Sequence, residues 1–460
     1  MIVVLGAGLA GLSTATYLRD VPHLVLEQEH EPGGLARSVG EGGFLFDFTG
    51  HLLHLRTPEV TALIDDLLGD DQIHLERSAW VRFGDRLVPY PFQVHSRDLP
   101  VDVRLECITG FAESLLPENR VPPGSYAEIP PDQRLPISFL NVPEPLGGYA
   151  LSFAEWTERT FGRGFARHFF KPYNAKNFAC DVATLSSDWV SWAIPKPDLE
   201  DVLRGALGAS RKEFGYNPRF RYPASGGIRR LPDAMASRLD SIEVGRRAKS
   251  IDSTARRVRM DDGEEISYET LVTTNPLPEL VAMIPDLPDE VRAAAGRLRW
   301  CAVRSFNFGL DAPLDHDRHW IYFPDPALPF YRVGFPSNLT PSMSPEGRGS
   351  VCAEVAVPPS ALDASNVRND DAEEQVLAAL VRTGVIPDAG RVTTRKQLDL
   401  PYAYVLFDDA RRAALPIVFR ALFERGIIPI GRFGSWNYLS METTIQQGIE
   451  TARWLRDRTS

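Results

Sequence analysis

The sequence predicts an α/β fold in which one parallel sheet is assembled from separated parts of the chain. Three observations predict it. A strand, a glycine-rich turn and a helix begin the chain, short strands surround the turn signal Asp262-Gly263, and another strand with a glycine-rich turn begins at Ile427. The length of 460 residues exceeds one ordinary hydrophobic core, so we expect two or three packed units.

The elements of the parallel sheet follow one another in chain order. Apolar runs predict a strand at residues 2–5, a helix at 9–18 and a second strand at 23–27, which together form a βαβ unit. Short strands occupy residues 241–275, and a strand followed by a helix occupies residues 427–455. Because each piece combines a strand with a glycine-rich turn, the three pieces predict one discontinuous domain.

The first turn of this domain has the spacing of a dinucleotide-binding turn. Gly6 permits the tight turn, Gly8 lets the backbone approach a pyrophosphate, and Gly11 lets the helix pack closely against the strand. The N-terminus of the following helix then faces the anion. Glu27 ends the second strand, where its carboxylate can accept hydrogen bonds from ribose hydroxyls. These residues predict a dinucleotide site.

The remaining segments have other patterns. Residues 101–215 show helical periodicity, with an aromatic-rich stretch at 153–192, and residues 299–425 alternate as in an antiparallel sheet. The stretch 117–145 holds eight prolines, which exclude a long helix. It is either an ordered loop or lid, or a disordered surface excursion.

Composition excludes several classes of function. The net charge of −11 argues against a nucleic-acid surface. Apolar runs are too short for a membrane span, and the N-terminus lacks the basic region of a signal peptide. The histidines show no metal-ligand spacing, so we expect no metal site. The widely spaced cysteines suit a reducing cytoplasm and are Cys107, Cys180, Cys301 and Cys352.

Three further segments favour FAD over NAD. Gly33-Gly34-Leu35-Ala36 resembles the segment of glutathione-reductase-like flavoproteins that passes the FAD pyrophosphate and ribitol, which implicates Gly34 and Leu35. Residues 271–275 resemble the second cofactor-contacting strand of that superfamily. Residues 431–434, which include Arg432, resemble its C-terminal flavin-contacting segment. The cofactor implied by this resemblance is FAD.

The segments group into three predicted domains. They are a Rossmann-like FAD-binding domain (1–75, 222–275 and 426–460), a helical substrate or lid domain (97–215), and an antiparallel β-sheet substrate domain (76–96 and 276–425).

Within the superfamily, six segments resemble the UDP-galactopyranose mutases, especially those of the eukaryotic type. They span nearly the whole chain in the order of that family, and their joint occurrence is more specific than any one motif. The segments are GGFLFDFTGHLLH (42–54), VPYPFQ (88–93), FFKPYNAKNFA (169–179), FGYNPRFRYPASGG (214–227), IYFPDPALPFYR (321–332) and GRFGSWNY (431–438).

A nucleotide sugar carries a diphosphate of about two negative charges, and an unpaired buried charge is very costly. Cations inside a cleft are therefore required. Arg332 and Lys171 each lie in an aromatic, proline-bearing segment rather than in a charged surface run. By resemblance, Arg332 matches a diphosphate-binding arginine, and Lys171 stands where eukaryotic mutases have an arginine. A structural salt bridge is the alternative for both.

The resemblance also implies polar residues of the substrate site. Tyr322, Tyr402 and Tyr438 resemble diphosphate-contacting tyrosines, whose hydroxyls donate hydrogen bonds while their rings pack the wall. Three others resemble further active-site polar residues and are Tyr90, Gln93 and Asn217. Trp156 is a candidate for the wall of the substrate domain, although a core position explains it equally well.

Two histidines and one arginine are expected beside the flavin ring. His51 matches the family histidine next to the isoalloxazine, a proposed switch around N5, and His54 stands where an aromatic residue is expected. Arg432 lies where a cation favours an anionic reduced flavin. The alternatives are core histidines bonded to the backbone, and an arginine that reaches solvent from the last strand.

The resemblance implies a pyranose–furanose mutase of nucleotide hexoses such as UDP-galactopyranose. In this chemistry N5 of reduced FAD attacks the anomeric carbon and the nucleotide diphosphate leaves. The pyranose ring then opens, another hydroxyl closes the furanose ring, and the nucleotide diphosphate returns without net redox change. The implied partner is a nucleotide sugar, and NAD(P)H is a candidate reductant. A homo-oligomer is compatible with the sequence. A membrane or nucleic-acid partner is not expected.

Two other functions remain open at this point. A flavin oxidase or dehydrogenase acting on an amine, porphyrinogen-like or alkene substrate shares the fold and explains the FAD segments equally well. It does not explain cationic positions and tyrosines in the order of the mutases. The other alternative is a flavoprotein of related shape that binds a nucleotide without turning it over.

Overall fold

The structure is a computed structural model. This structure describes residues 1–119, 121, 129–143, 151–190, 194–210, 214, 218–362 and 370–459. The strands are β1 (Ile2–Leu5), β2 (His23–Leu26), β3 (Ser38–Glu41), β4 (Phe44–Asp47), β5 (Gln72–Glu76), β6 (Ala79–Phe83), β7 (Arg86–Pro89), β8 (Arg219–Pro223), β9 (Ile242–Glu243), β10 (Ala248–Asp252), β11 (Arg257–Met260), β12 (Glu265–Ser267), β13 (Thr270–Thr273), β14 (Trp300–Leu310), β15 (Trp320–Tyr322), β16 (Arg332–Gly334), β17 (Ser350–Val357), β18 (Val392–Val405) and β19 (Ile427–Pro429).

The α-helices of the described residues alternate with these strands. They are α1 (Leu9–Leu18), α2 (Pro58–Leu68), α3 (Val101–Ser114), α4 (Phe153–Phe165), α5 (Lys171–Asn177), α6 (Leu199–Leu207), α7 (Arg230–Ala236), α8 (Leu277–Ala282), α9 (Asp289–Ala295), α10 (Asp370–Arg382), α11 (Asp409–Phe423), α12 (Gly431–Gly434) and α13 (Met441–Thr459). Within this described part, no helix combines the length and the apolar character that crossing a membrane requires.

A five-stranded parallel sheet has the strand order β19-β13-β1-β2-β9. The four residues of β1 are all buried, as expected for a central strand covered on both faces. Its strands come from three separated parts of the chain, so the fold class predicted from the sequence is confirmed. The predicted domain boundaries stay a prediction.

A seven-stranded sheet has the order β18-β14-β17-β16-β15-β6-β7. Its pairs are antiparallel except for β6 and β15, which run parallel. The antiparallel pattern predicted for residues 299–425 holds for the strands. The prediction of strands was wrong where α10 and α11 form. In α10 the buried residues recur at helical spacing, as Val376, Leu377 and Leu380 show.

The helical region predicted at 101–215 contains α3 to α6, and a π-helical turn at Ala166–Phe170 joins α4 to α5. Part of the proline-rich stretch 117–145 lies outside the described residues. Its described part from 129 to 143 has short 3₁₀ turns and a buried Leu140.

The helices α1 and α13 pack closely because one position lacks a side chain. A Cβ atom added at Gly448 of α13 would lie 2.0 Å from Ser13 Oγ and 2.5 Å from the carbonyl oxygen of Ala10, both on α1. Neither contact is permitted, and the second involves backbone. Glycine at this position therefore sets the distance between the two helices.

We expect Gly448→Ala to lower the free energy of unfolding by about 1–3 kcal/mol, because the added methyl group overpacks this contact. Chemical denaturation measures the effect. Gly40→Ala is the matched control, since the nearest atoms to its added Cβ lie 3.9 Å away. Equal stability of the two variants would contradict this packing account.

Candidate active site

The turn between β1 and α1 forms a cradle made of backbone. A Cβ atom at Gly6 would lie 2.0 Å from Thr274 Oγ1, and one at Gly11 would lie 2.0 Å from the carbonyl oxygen of Gly6. Gly8 caps α1 without a side-chain hydrogen bond, and its Cα would lie 3.3 Å from a Cβ added at Gly34. The uncapped N-terminus of α1 and the missing side chains leave room for a pyrophosphate to approach.

Glu27 follows β2 and is 5% exposed. Its carboxylate accepts hydrogen bonds from the backbone N–H groups of Ala7 (2.6 Å) and Glu29 (2.9 Å). These bonds hold the carboxylate beside the glycine turn, where Glu27 lines a cavity together with Gly34 and Leu35. A backbone cradle next to a fixed carboxylate fits the pyrophosphate and ribose of FAD.

The cavity has a volume of about 820 Å³ and extends from this cradle to the seven-stranded sheet. Its wall holds most of the site residues predicted from the sequence. Those residues are Gly6, Gly8, Glu27, Gly34, Leu35, His51, His54, Tyr90, Tyr322, Arg332, Tyr402, Arg432 and Tyr438. The structure therefore brings the nucleotide-binding turn and the predicted phosphate-binding groups into one space.

Arg332 is fixed inside the cavity by a buried acid. Its Nε atom donates to Glu354 Oε1 (3.1 Å), and its Nη2 atom donates to both carboxylate oxygens (2.8 Å each). The two residues lie opposite each other on the neighbouring strands β16 and β17. The hydroxyl of Tyr331 also donates to Glu354. Glu354 takes Nε and Nη2 of Arg332, and no described residue hydrogen-bonds Nη1, which is therefore left for a ligand.

Arg432 is held by neutral groups. Its Nη1 donates to the carbonyl oxygen of Leu439 (2.7 Å), and Nε and Nη2 donate to that of Ala403 (3.3 and 3.2 Å). The guanidinium lies 4.4 Å from the ring centre of Tyr438 and 5.4 Å from that of Tyr404. No carboxylate among the described residues forms an ion pair with Arg432, so its charge is available to an anion in the cavity.

Arg77 is a further cation of the cavity wall, and the sequence did not indicate it. Its guanidinium stacks 4.9 Å from the ring centre of Tyr90 and donates to the carbonyl oxygen of Phe214 (3.2 Å). Tyr90 in turn lies 5.1 Å from Tyr322, ring centre to ring centre. Arg77 therefore adds positive charge at the aromatic end of the cavity.

Tyrosines form most of the aromatic wall. Tyr404 stacks on Tyr438 with ring centres 5.7 Å apart, and Tyr402 stacks on Trp300 at 4.8 Å. Burial raises the pKa of Tyr90, Tyr322 and Tyr404. Their hydroxyls keep their protons at neutral pH and can donate hydrogen bonds to an anion.

The two predicted histidines are neutral. Burial, together with the nearby cations Arg432 and Arg332, lowers the pKa of His51 to about 4. His51 Nδ1 lies 3.3 Å from the carbonyl oxygen of Thr49, so this nitrogen carries the proton and Nε2 is an acceptor. Burial also lowers the pKa of His54 to about 4, and its ring packs edge-on against Phe220.

Lys171 does not line the cavity. Its ammonium group pairs with Glu158, and its side chain is 32% exposed. Lys171 begins α5, in which Tyr173 faces inward, with its ring centre 5.1 Å from that of Tyr322. Because residues two apart on a helix point to nearly opposite sides, Lys171 faces outward. The prediction that Lys171 and Arg332 share one cavity is not met by this geometry.

Two other predicted substrate residues, Gln93 and Trp156, are not on the cavity wall. Gln93 is 1% exposed, and its amide donates to the carbonyl oxygen of Pro195 (2.8 Å). Trp156 is 4% exposed and packs against Phe153 and Phe161, which makes it a core residue. Asn217 lies outside the described residues.

Sequence reasoning missed Arg77, Glu354 and Tyr404. Tyr404 follows Tyr402 by two positions on β18, and the period of a strand would have placed both on one face. Glu354 is the single acid of the apolar strand SVCAEVAV, and a buried acid within such a run signals a buried partner. We find no comparable signal for Arg77.

The lowered pKa of His51 gives a pH-dependent stability. The folded state binds the His51 proton less readily than the unfolded state, whose ordinary value is 6.5. The free energy of unfolding should therefore fall as the pH decreases from about 6.5 towards 4, with a slope of at most about 1.4 kcal/mol per pH unit for one proton.

His51→Gln should flatten this pH dependence of the free energy of unfolding, which denaturation at several pH values measures. A slope unchanged in His51→Gln, and equal to that of the exposed control His30→Gln, would refute the assignment.

Solved structures resemble this chain over nearly its whole length. A structure described as reduced UDP-galactopyranose mutase is 27% identical with a TM-score of 0.86, covering 99% of this chain and 94% of that chain. Putrescine oxidase bound to putrescine is 17% identical with a TM-score of 0.65, covering 99% of each chain. A CLA-producing fatty acid isomerase from P. acnes is 13% identical with a TM-score of 0.62, covering 98% of each chain. The last two likenesses concern the fold alone.

The family described as flavin-containing amine oxidoreductases matches residues 9–407. This span covers most of the chain and includes Glu27, Gly34 and Arg332. The cradle and the fixed carboxylate fit the FAD that such a family implies. The chain belongs to the flavin-containing amine oxidoreductase family.

Proposed function

We propose that this protein is an FAD-dependent mutase that interconverts the pyranose and furanose forms of a nucleotide-linked hexose, such as UDP-galactopyranose. One observation carries the proposal: Arg332 and Arg432 line the same cavity as the FAD cradle. The resemblance to reduced UDP-galactopyranose mutase, at 27% identity over 99% of the chain, supports it.

The charges of the cavity suit a diphosphate. A protein with a net charge of −11 repels anions in general, so an anionic ligand needs local cations. Glu354 fixes the plane of the Arg332 guanidinium, whose Nη1 can donate to a ligand. Arg432 and Arg77 add positive charge, and neither is paired with a carboxylate among the described residues. We therefore assign the cationic role expected of Lys171 to Arg77, whereas Arg432 keeps its expected place beside the flavin ring.

The tyrosines complete the binding of the leaving group. Tyr322 and Tyr404 lie on the cavity wall as neutral hydroxyl donors, because burial raises the pKa of each. Hydroxyl donors and guanidinium groups together stabilise the charge that develops on a departing diphosphate. They also keep the diphosphate close to the sugar, so that it can rejoin the anomeric carbon.

Reduced FAD, when bound, supplies the nucleophile for the anomeric carbon. The chain contributes the environment of this chemistry. Neutral His51 lies next to the cations Arg332 and Arg432 and presents Nε2 as a hydrogen-bond acceptor. The aromatic wall excludes water from the displaced diphosphate and strengthens its electrostatic contacts. We propose NAD(P)H as the reductant that prepares the cofactor.

Amine oxidation is the competing function, because it is the chemistry for which the family is described. A protonated amine would enter a cavity that contains Arg77, Arg332 and Arg432. Glu354 is already paired with Arg332, and His51 is neutral. Around these groups the electrostatics of the cavity therefore favour an anionic substrate over a cationic one.

An anaerobic assay with dithionite-reduced holoprotein and a panel of UDP-, GDP- and dTDP-hexoses tests the proposal. We expect chromatography to show the furanose isomer of one of them, with no oxidant consumed. Arg332→Ala should lower kcat/KM by about tenfold to 100-fold through the lost charged contacts. It should retain FAD, because Arg332 does not contact the glycine cradle.

Lys171→Ala is the matched variant, since it removes a cation that lies outside the cavity. We expect its kcat/KM to stay within about threefold of the wild-type value, because an exposed ion pair contributes little. The proposal would be abandoned if no nucleotide sugar were converted while an amine bleached the oxidised flavin.

A further inference from the structure

The C-terminal segment (residues 431–438) carries two cavity groups, Arg432 and Tyr438, on a backbone of unusual conformation. Trp436 is completely buried and has a φ of +48°. A side chain with a Cβ atom rarely adopts this left-handed region, because it costs free energy. Such a residue persists only where its surroundings hold it in place.

Arg411 of α11 supplies that hold. Its Nε donates to the carbonyl oxygen of Trp436 (3.0 Å), and its guanidinium lies 3.9 Å from the ring centre of Phe407. Burial lowers the pKa of Arg411 to about 10, so the side chain remains charged at neutral pH. Arg411 does not line the cavity.

Burying a charged arginine costs desolvation free energy. What it adds is a planar donor of fixed direction. This geometry matters here because the left-handed residue lies between the two cavity groups. The backbone N–H of Asn437 donates to the carbonyl oxygen of Arg432 (2.9 Å), and Arg432 Nη1 donates to that of Leu439 (2.7 Å). The orientation at Trp436 thus fixes both Arg432 and Tyr438.

We propose that Arg411 is a positioning residue for the flavin site, which acts through the Trp436 carbonyl to hold Arg432 and Tyr438 at the cavity wall. The inference depends on FAD binding by this family and not on the mutase reaction. A failure of the proposed function would therefore leave it standing.

The test compares Arg411→Met with Arg412→Met in the FAD-loaded protein. The two arginines are neighbours on α11 and are equally buried at 7% exposure, but Arg412 pairs with Asp188 and Asp409. Both variants should lower the melting temperature. We expect only Arg411→Met to raise the FAD dissociation constant by about tenfold or more and to shift the visible absorption band of bound flavin. Arg412→Met should stay within about twofold of the wild-type affinity.

Arg411→Lys separates positioning from charge. Lysine can donate to the Trp436 carbonyl but lacks the planar fork, so we expect FAD affinity between those of the wild type and Arg411→Met. If Arg411→Met does not fold, the comparison of Arg411→Lys with Arg412→Lys decides. The proposal is overturned if the Arg411 and Arg412 variants show the same FAD affinity and the same flavin spectrum.

Discussion

The ion pair between Arg332 and Glu354 is the interaction on which the character of the cavity depends. Antiparallel pairing of β16 with β17 places the two side chains opposite each other, and the hydroxyl of Tyr331 adds a further donor to the carboxylate. The carboxylate of Glu354 is almost completely buried, and without its partner Arg332 its charge would be strongly destabilising. With it, an acidic protein presents a cation of fixed orientation inside an aromatic wall.

The two sheets contribute different halves of the site. The parallel sheet supplies the glycine cradle and Glu27 at the ends of its strands, where folds of this kind bind dinucleotides. The seven-stranded sheet supplies Arg332, Tyr322, Tyr402 and Tyr404. The C-terminal segment joins the halves, because it follows β19 of the parallel sheet and carries Arg432 to the carbonyl oxygen of Ala403 on β18.

Sequence reasoning succeeded where local pattern determines local geometry. Glycine spacing defined the cradle, and the position of Glu27 after β2 followed from the βαβ unit. It failed where the outcome depended on which face of a helix a side chain occupies, or on the register between two strands. The motif around Lys171 gave no indication that a π-helical turn precedes α5 and that Tyr173, not Lys171, faces inward. The partnership of Arg332 with Glu354 depends on strand register between residues 22 positions apart, which no local pattern reports.

The most direct measurement of the central claim is a crystal structure of the reduced holoprotein with UDP. The account predicts diphosphate oxygens within hydrogen-bonding distance of Arg332 Nη1 and of a cavity tyrosine hydroxyl, with the Arg332–Glu354 pair intact. A diphosphate bound on the outer surface beside Lys171, with no contact to the arginines of the cavity, would contradict it.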